Sequence, residues 1–203
     1  PMFSEDFHVR EPRWDIAWTE VIVGVDWGWE DAGVFSVIGV QGSGRDATCW
    51  VIDEVYETHK TISWWTEQAK RIDQRFPGAH WYADPSRPDN IDTLKRDAKI
   101  RIEPAKNDRE GGVGAVADRL VVRQSDPEDE HTRFSRLYLS RRKCPNLIRE
   151  MGSYRRKRDP RNPDRILDEI HDGNDHCQDS TRYALFSRFG APSHAIASSG
   201  GGW

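Results

Sequence analysis

Asp26, Asp84 and Asp179 stand at three positions where a chain can present carboxylates for metal chemistry. Asp26 ends the apolar run Val21-Ile22-Val23-Gly24-Val25, Asp84 follows Trp81-Tyr82-Ala83, and Asp179 lies in a helical pattern near the end of the chain. Acids at strand ends and on a neighbouring helix can converge at a sheet edge, where ligands of α/β folds bind. Such oxygen ligands suit the hard cations Mg²⁺ and Mn²⁺. Without cations, three packed carboxylates would repel one another and hold their protons more tightly. Two ions about 3.5–4 Å apart can activate water, orient a phosphodiester and stabilise the leaving oxygen. His176 precedes Asp179 by one helical step of three, which puts both on one face. It could touch phosphate, orient water or assist proton transfer. Asp175 can reach the same ions as a further ligand, although its place before the helix suits capping better.

Each group also has a plain structural explanation. Asp26 could simply end a strand, Asp-Pro-Ser at 84–86 is ordinary turn chemistry, and His176 could serve a structural hydrogen bond. Asp179, inside a helix, gains nothing from capping. The combination carries more weight than any member.

Positioning these groups requires an alternating α/β chain. The run at 21–26 reads as a strand covered on both faces. Runs at 33–40 and 49–56, joined by the polar Gly-rich segment 41–48, extend it into an antiparallel meander. Ile62, Trp65, Ala69, Ile72 and Phe76 recur at helical spacing and give the helix over 61–76 an apolar stripe, stopped by Pro77-Gly78. A short strand follows at 79–83. Pro88 opens a helix reaching 95 or 96. Another strand is expected at 99–102, a helix from 112 or 113 to 122, an outlying strand at 136–139 and a short helix at 144–151. Residues 152–163 are charged and Pro-bearing and read as a mobile loop. The last helix spans 176–188. Trp64, Trp65 and Trp27 suit core packing, while Trp29 beside Asp26 could shape a groove. Gly111, Gly112 and Gly114 make too sparse a cradle for phosphate. No GxxxxGK[ST] run occurs, which argues against an intrinsic ATPase.

With 203 residues, 36% apolar and 32% charged, the chain fits one domain with its own core. Cys49, Cys144 and Cys177 offer neither a full pairing scheme nor a zinc framework, so a reducing, intracellular setting is expected. No run approaches the roughly 20 apolar residues that cross a bilayer. The net charge of −4 hides a division. Residues 133–165 hold 12 Lys and Arg against three acids, a local +9, while the remainder carries −13. Arg141, Arg142 and Lys143 form one basic cluster, and Arg155, Arg156, Lys157 and Arg158 another. Clusters of this kind neutralise DNA phosphates, although a solvated loop would look the same. Residues 1–19 read as an arm or linker remnant with little fold information, 20–189 as the domain, and 190–203 as a flexible tail. Pro1 ahead of Met2 suggests an expression scar before a cloned fragment.

Three motifs, Val-Gly-Val-Asp-Trp-Gly at 23–28, Trp-Tyr-Ala-Asp-Pro-Ser at 81–86 and Asn-Asp-His-Cys-Gln-Asp-Ser-Thr-Arg-Tyr-Ala at 174–184, point to one family. Over residues 20–189 the chain resembles the nuclease domain of the large terminase subunit of tailed bacteriophages or prophages. The resemblance implies an α/β fold, an RNase H-like mixed central sheet flanked by helices, and an endonuclease cutting double-stranded viral DNA during genome packaging. By motif, Asp26 and Asp84 match the family's strand-end acids, Asp179 its final-helix acid and His176 an auxiliary position. Lys106 falls where a basic residue often precedes the Gly-rich helix start. The implied cofactors are Mg²⁺ or Mn²⁺, two ions with DNA bound. Implied partners are double-stranded DNA, a terminase ATPase domain, the small terminase subunit and the portal protein, in the host cytoplasm at the procapsid, with no membrane. The chain would then be an excised nuclease domain, residues 1–19 descending from the connecting region, or a relative naturally lacking the ATPase. A noncatalytic DNA-binding or portal-docking module is the main alternative. An actin-like or sugar-kinase nucleotide binder shares the opening strand but needs later phosphate turns that the sequence lacks.

Overall fold

The computed structural model describes residues 2–13, 15–153, 156–159, 162–170 and 175–190, with backbone alone for 156–159 and 162–170. In chain order the elements are α1 (Glu5–His8), β1 (Glu20–Asp26), β2 (Gly33–Gln41), β3 (Thr48–Glu57), α2 (Ile62–Arg75), β4 (His80–Ala83), α3 (Pro88–Thr93), β5 (Arg101–Pro104) and α4 (Arg109–Leu120). These are followed by β6 (Arg123–Gln124), β7 (Arg133–Phe134), β8 (Leu137–Leu139), α5 (Pro145–Ser153), β9 (Arg156–Asp159), β10 (Asn162–Ile170) and α6 (His176–Phe189).

Six strands make one mixed sheet in the order β5-β4-β1-β2-β3-β8. Only β2 runs against the rest, because the β1-β2-β3 meander is antiparallel while β4 and β5 join β1's side in parallel and β8 joins β3 in parallel. The C-terminal ends of β1 and β4 therefore lie side by side, with Val25 paired to Ala83. Strand residues alternate between faces. Val23, Val25, Phe35, Val37, Trp81 and Ala83 pack on α2 through Trp65, Ala69 and Ile72. Ile22, Val34, Ile38 and Tyr82 face the opposite layer, where α6 contributes Cys177, Tyr183, Ala184 and Leu185 and α5 contributes Leu147 and Met151. The same two-residue period puts Gly24, Asp26 and Asp84 on the α6 side.

Gly24 sets the approach of that helix. A Cβ there would lie 1.7 Å from the Ser180 carbonyl oxygen, so any side chain would push α6 away from β1.

Four expectations need correction. The strand expected at 99–102 begins at Arg101, because Leu94–Ala98 continues α3 as a π-helical turn that ends with Lys99 in the left-handed region at φ 58°. The helix expected from 112 or 113 starts at Arg109, since the Asp108 carboxylate accepts the Gly111 N–H. The segment read as a mobile loop at 152–163 holds the end of α5 and the paired backbone of β9 and β10. Pro163 is compatible with that ribbon because a two-stranded sheet is all edge. The arm at 1–19 also carries more fold information than its mixed charge suggested. His8 is fully buried with Nε2 2.9 Å from the Leu120 carbonyl oxygen, and Val9 bridges to Leu139. The tail expected from 190 onward lies outside the described residues beyond Gly190.

The three cysteines are free and buried. Among the described residues no helix is long and apolar enough to cross a membrane.

Candidate functional site

Asp26 is the last residue of β1 and only 8% exposed. Its Oδ2 lies 3.0 Å from His176 Nδ1, which donates when that nitrogen carries the proton. Burial pushes the Asp26 carboxyl up to about 6; His176 opposes the shift, and the negative charges of Asp179 and Asp84 add to it. His176 is itself raised, first by its hydrogen bond to Asp26.

Asp84 extends the β4 ladder by one step, its N–H donating to the Val25 carbonyl at 2.9 Å. Its carboxylate accepts the Ser86 N–H at 3.0 Å and the Ser86 hydroxyl at 2.6 Å. The turn explanation of Asp-Pro-Ser and the strand-end position are thus both realised in one residue. Trp27 Nε1 donates to the Asp84 carbonyl at 3.0 Å and ties the two strand exits together.

Asp179 sits in the first turn of α6 and accepts from Arg182 Nε at 3.0 Å. That arginine is buried, lies over the Tyr183 ring at 4.4 Å and leaves Nη1 without a hydrogen-bond partner among the described residues. A Cβ on Gly112 of α4 would come within 2.6 Å of its Cγ. The glycine pair at 111–112, too sparse for a phosphate cradle, is instead a slot for Arg182 and Phe186.

Tyr183 is buried in the layer on the α6 side of the sheet. Burial, then the charges of Asp84, Asp179 and Asp26, push its hydroxyl up to about 12, with Arg182 opposing. Strand pairing sets Asp26 beside Asp84, and the contact of His176 with Asp26 brings the first turn of α6, with Asp179, to the same side of the sheet. Among the described residues, however, no three His, Cys, Asp or Glu groups form a ready-made shell for a metal ion. The acids are each turned to a protein partner: His176, Ser86 or Arg182.

Asp175 does not cap α6 with its side chain. Its φ of −118° and ψ of 18° accompany a backbone carbonyl that accepts the Asp179 N–H, while the carboxylate lies 3.4 Å from Arg109 Nη2. Burial and Asp179 raise its pKa. The capping acid comes from elsewhere: Glu150 of α5 accepts the N–H groups of Cys177 and Gln178.

The predicted basic residues divide. Lys106 follows the end of β5, beside β4, and its N–H donates to Ser187 at 2.9 Å, so it lies near the acid edge. Arg109, missed in the sequence, reaches that edge through Asp175. Arg141, Arg142 and Lys143 lie after β8, three strands from β1, roughly 14 Å across the sheet at ordinary strand spacing. There Arg141 Nη1 is 3.8 Å from Glu5, and the Arg142 N–H donates to Glu11. The structure does not bring this cluster to the acids. Arg155 and the side chains of Arg156, Lys157 and Arg158 lie outside the described residues.

Glu54, Glu150, Arg182 and Tyr183 were also missed. Each is buried or half-buried polar chemistry with no periodic signal, although Arg182 and Tyr183 fall inside the third motif.

The family model of the terminase RNaseH-like domain matches residues 23–188. The structure is similar to the large terminase of the thermophilic bacteriophage D6E in complex with ADP, at TM-score 0.69 and 23% identity over 92% of this chain and 43% of that one. It is also similar to the large terminase nuclease domain of bacteriophage SPP1 with bound Mn, at TM-score 0.63 and 22% identity over 89% and 96% of the two chains. The P22 large terminase nuclease domain gives TM-score 0.64 and 18% identity over 92% and 91%. No curated protein sequence matches the chain. The chain spans less than half the length of the D6E protein. At these identities the likeness is one of fold, an RNase H-like mixed sheet flanked by helices. With the family model covering most of its length, the chain belongs to the terminase RNaseH-like domain family.

Proposed function

We propose that the chain is a divalent-metal-dependent endonuclease domain that cuts double-stranded DNA during packaging of a viral genome. The observation that carries the reading is geometric: Asp26 and Asp84 end paired neighbouring strands, and the 3.0 Å contact of His176 with Asp26 brings the first turn of α6, which carries Asp179, to the same edge. A cation among these acids would relieve their repulsion, and oxygen donors from separate elements suit Mg²⁺ or Mn²⁺. The SPP1 nuclease domain, similar in fold, was solved with bound Mn.

Asp26, Asp84 and Asp179 are the proposed ligands, with Asp175 in reach of Asp179 as a further one. Two such ions, when bound with DNA, supply an activated water and offset charge at the scissile phosphate and leaving oxygen. Asp84 and Asp179 would exchange their Ser86 and Arg182 hydrogen bonds for that coordination. His176, held at Nδ1 by Asp26, leaves Nε2 to orient water or move a proton near the phosphate. Lys106 would meet the DNA backbone near the acids. Arg141, Arg142 and Lys143 would seat it farther away and Arg155, Arg156, Lys157 and Arg158 would add phosphate contacts, positioning the duplex without reading bases. An ATPase domain, the small terminase subunit and the portal protein are the proposed partners, at the procapsid in the host cytoplasm.

Plasmid cleavage with Mn²⁺, with Mg²⁺ and with chelator, beside Asp179→Asn, tests this reading. Cutting that needs the metal and is lost in the variant supports it; undiminished cutting in chelator or in the variant contradicts it. The local charge of +9 over residues 133–165 supports a second reading, a noncatalytic DNA-binding or portal-docking module. That module would bind DNA with a steep salt dependence and cut nothing.

A further inference from the structure

We propose that Glu150 is a positioning residue that sets the first turn of α6, and through it His176 and Asp179, by capping the helix from α5. The first N–H groups of a helix have no partner within it and need an outside acceptor. At α6 the adjacent Asp175 is the residue type that ordinarily serves, yet its carboxylate makes no such bond. One oxygen of Glu150 accepts both the Cys177 N–H at 2.9 Å and the Gln178 N–H at 3.1 Å.

The arrangement costs stability, which separates it from an ordinary cap. Glu150 is 2% exposed, and its other carboxylate oxygen is buried without a hydrogen-bond partner among the described residues. Burying a carboxylate so incompletely paired is unfavourable. A local cap by Asp175 would satisfy the same donors without that burden, but it could not fix α6 relative to any other element. Glu150 does so, because it belongs to a different helix.

That helix is anchored to the sheet in the same manner. Glu54 on β3 accepts the Asn146 and Leu147 N–H groups at 2.8 and 3.0 Å, at the start of α5, and also the Asn146 side-chain amide at 2.8 Å. Cys177 Sγ lies 3.7 Å from Glu54. Two buried-side acids thus pass position from β3 to α5 and from α5 to α6. One turn further on, Ser180 and Thr181 meet Ser36 of β2 through their hydroxyls. The first turn of α6, which carries both His176 and Asp179, is held between these attachments. Removing Glu150 releases its N-terminal side only.

The inference rests on the nuclease reading for its metal arm and stands apart from it in its exchange arm. Glu150→Leu keeps most of the side-chain volume and removes the acceptor; Glu150→Gln keeps one acceptor oxygen. Both are compared with the unaltered chain by amide hydrogen exchange at residues 177–179 and by Mn²⁺ titration calorimetry. In Glu150→Leu, exchange at the Asp179 amide, bonded to the Asp175 carbonyl and not to Glu150, should accelerate at least about tenfold, and Mn²⁺ affinity should fall by a similar factor. Glu150→Gln should restore both to within about threefold. Unchanged protection at Asp179 in Glu150→Leu overturns the proposal. So does a Glu150→Gln form as impaired as Glu150→Leu. If the unaltered chain binds no Mn²⁺, the metal reading fails while the exchange comparison still decides the role of Glu150.

Discussion

The two faces of the sheet are held by different physics. On the α2 face, Trp65, Ala69 and Ile72 meet Phe35, Val37 and Trp81 in an apolar layer, with the Phe35 and Trp65 rings 4.7 Å apart. On the α6 face, apolar contacts share the interior with Ser36, Ser180, Thr181, Glu150 and Arg182, all buried. Apolar packing is non-directional and tolerates small shifts. A buried polar seat fixes distance and angle, and is costly wherever a partner is missing. The acids at the strand ends lie on the polar side. One face thus mainly supplies stability, while the other places groups at some expense to stability.

Trp65→Ala attacks the apolar face and should cost about 3–5 kcal/mol of folding free energy, read by denaturant unfolding, with cleavage by the remaining folded protein unchanged. A loss of cleavage larger than the loss of folded protein would blur the division.

Asp26→Asn attacks the other face with opposite consequences for activity and stability. Cleavage should fall at least about a hundredfold, near 3 kcal/mol of barrier. Metal-free stability should rise at neutral pH. The Asp26 pKa is raised from 3.8 to about 6, so its favourable share is full below the unfolded value and is lost as pH climbs through about 6. The loss is on the order of 3 kcal/mol. Thermal melts in chelator at about pH 5 and about pH 8 should show a flatter profile for the variant. Glu150, raised from 4.5 to about 7 by burial, acts in the same direction. A variant that melts lower than the parent at about pH 8 would break the comparison.

Ser36→Ala removes the hydroxyl that meets Ser180 and Thr181, and should cost about 1–2 kcal/mol in unfolding experiments. The smallest effect belongs to Arg142→Ala, far from the acids. Stability should stay within about 0.5 kcal/mol. The slope of log DNA affinity against log salt should lose about one. An unchanged slope removes Arg142 from the DNA surface.

Legibility in the sequence follows the same division. The helical spacing from Ile62 to Phe76 announced α2, and the β-branched run at 21–25 announced β1, because apolar burial leaves a period. The motifs also picked out Asp26 and Asp84 as strand-end acids, which the structure sets on adjacent strands. What periodicity could not reveal was which partner each polar group finds. Asp175 looked like a cap and is not one, since Glu150 arrives from a helix 25 residues earlier in the chain. Lys99 looked like a strand residue, but its left-handed backbone is set by the π-helical turn before it. His8 lay in an arm with no sustained pattern, and its burial depends on a carbonyl more than 100 residues away. Such long-range hydrogen bonds have no local signature.

In the proposed mechanism Asp26, Asp84 and Asp179 jointly hold a divalent cation, and anomalous diffraction from crystals soaked in Mn²⁺ would show it. A Mn²⁺ peak coordinated by these three carboxylates is expected, with the Ser86 and Arg182 hydrogen bonds to Asp84 and Asp179 released. Occupied Mn²⁺ positions elsewhere, with the three acids still bonded to His176, Ser86 and Arg182, would contradict it.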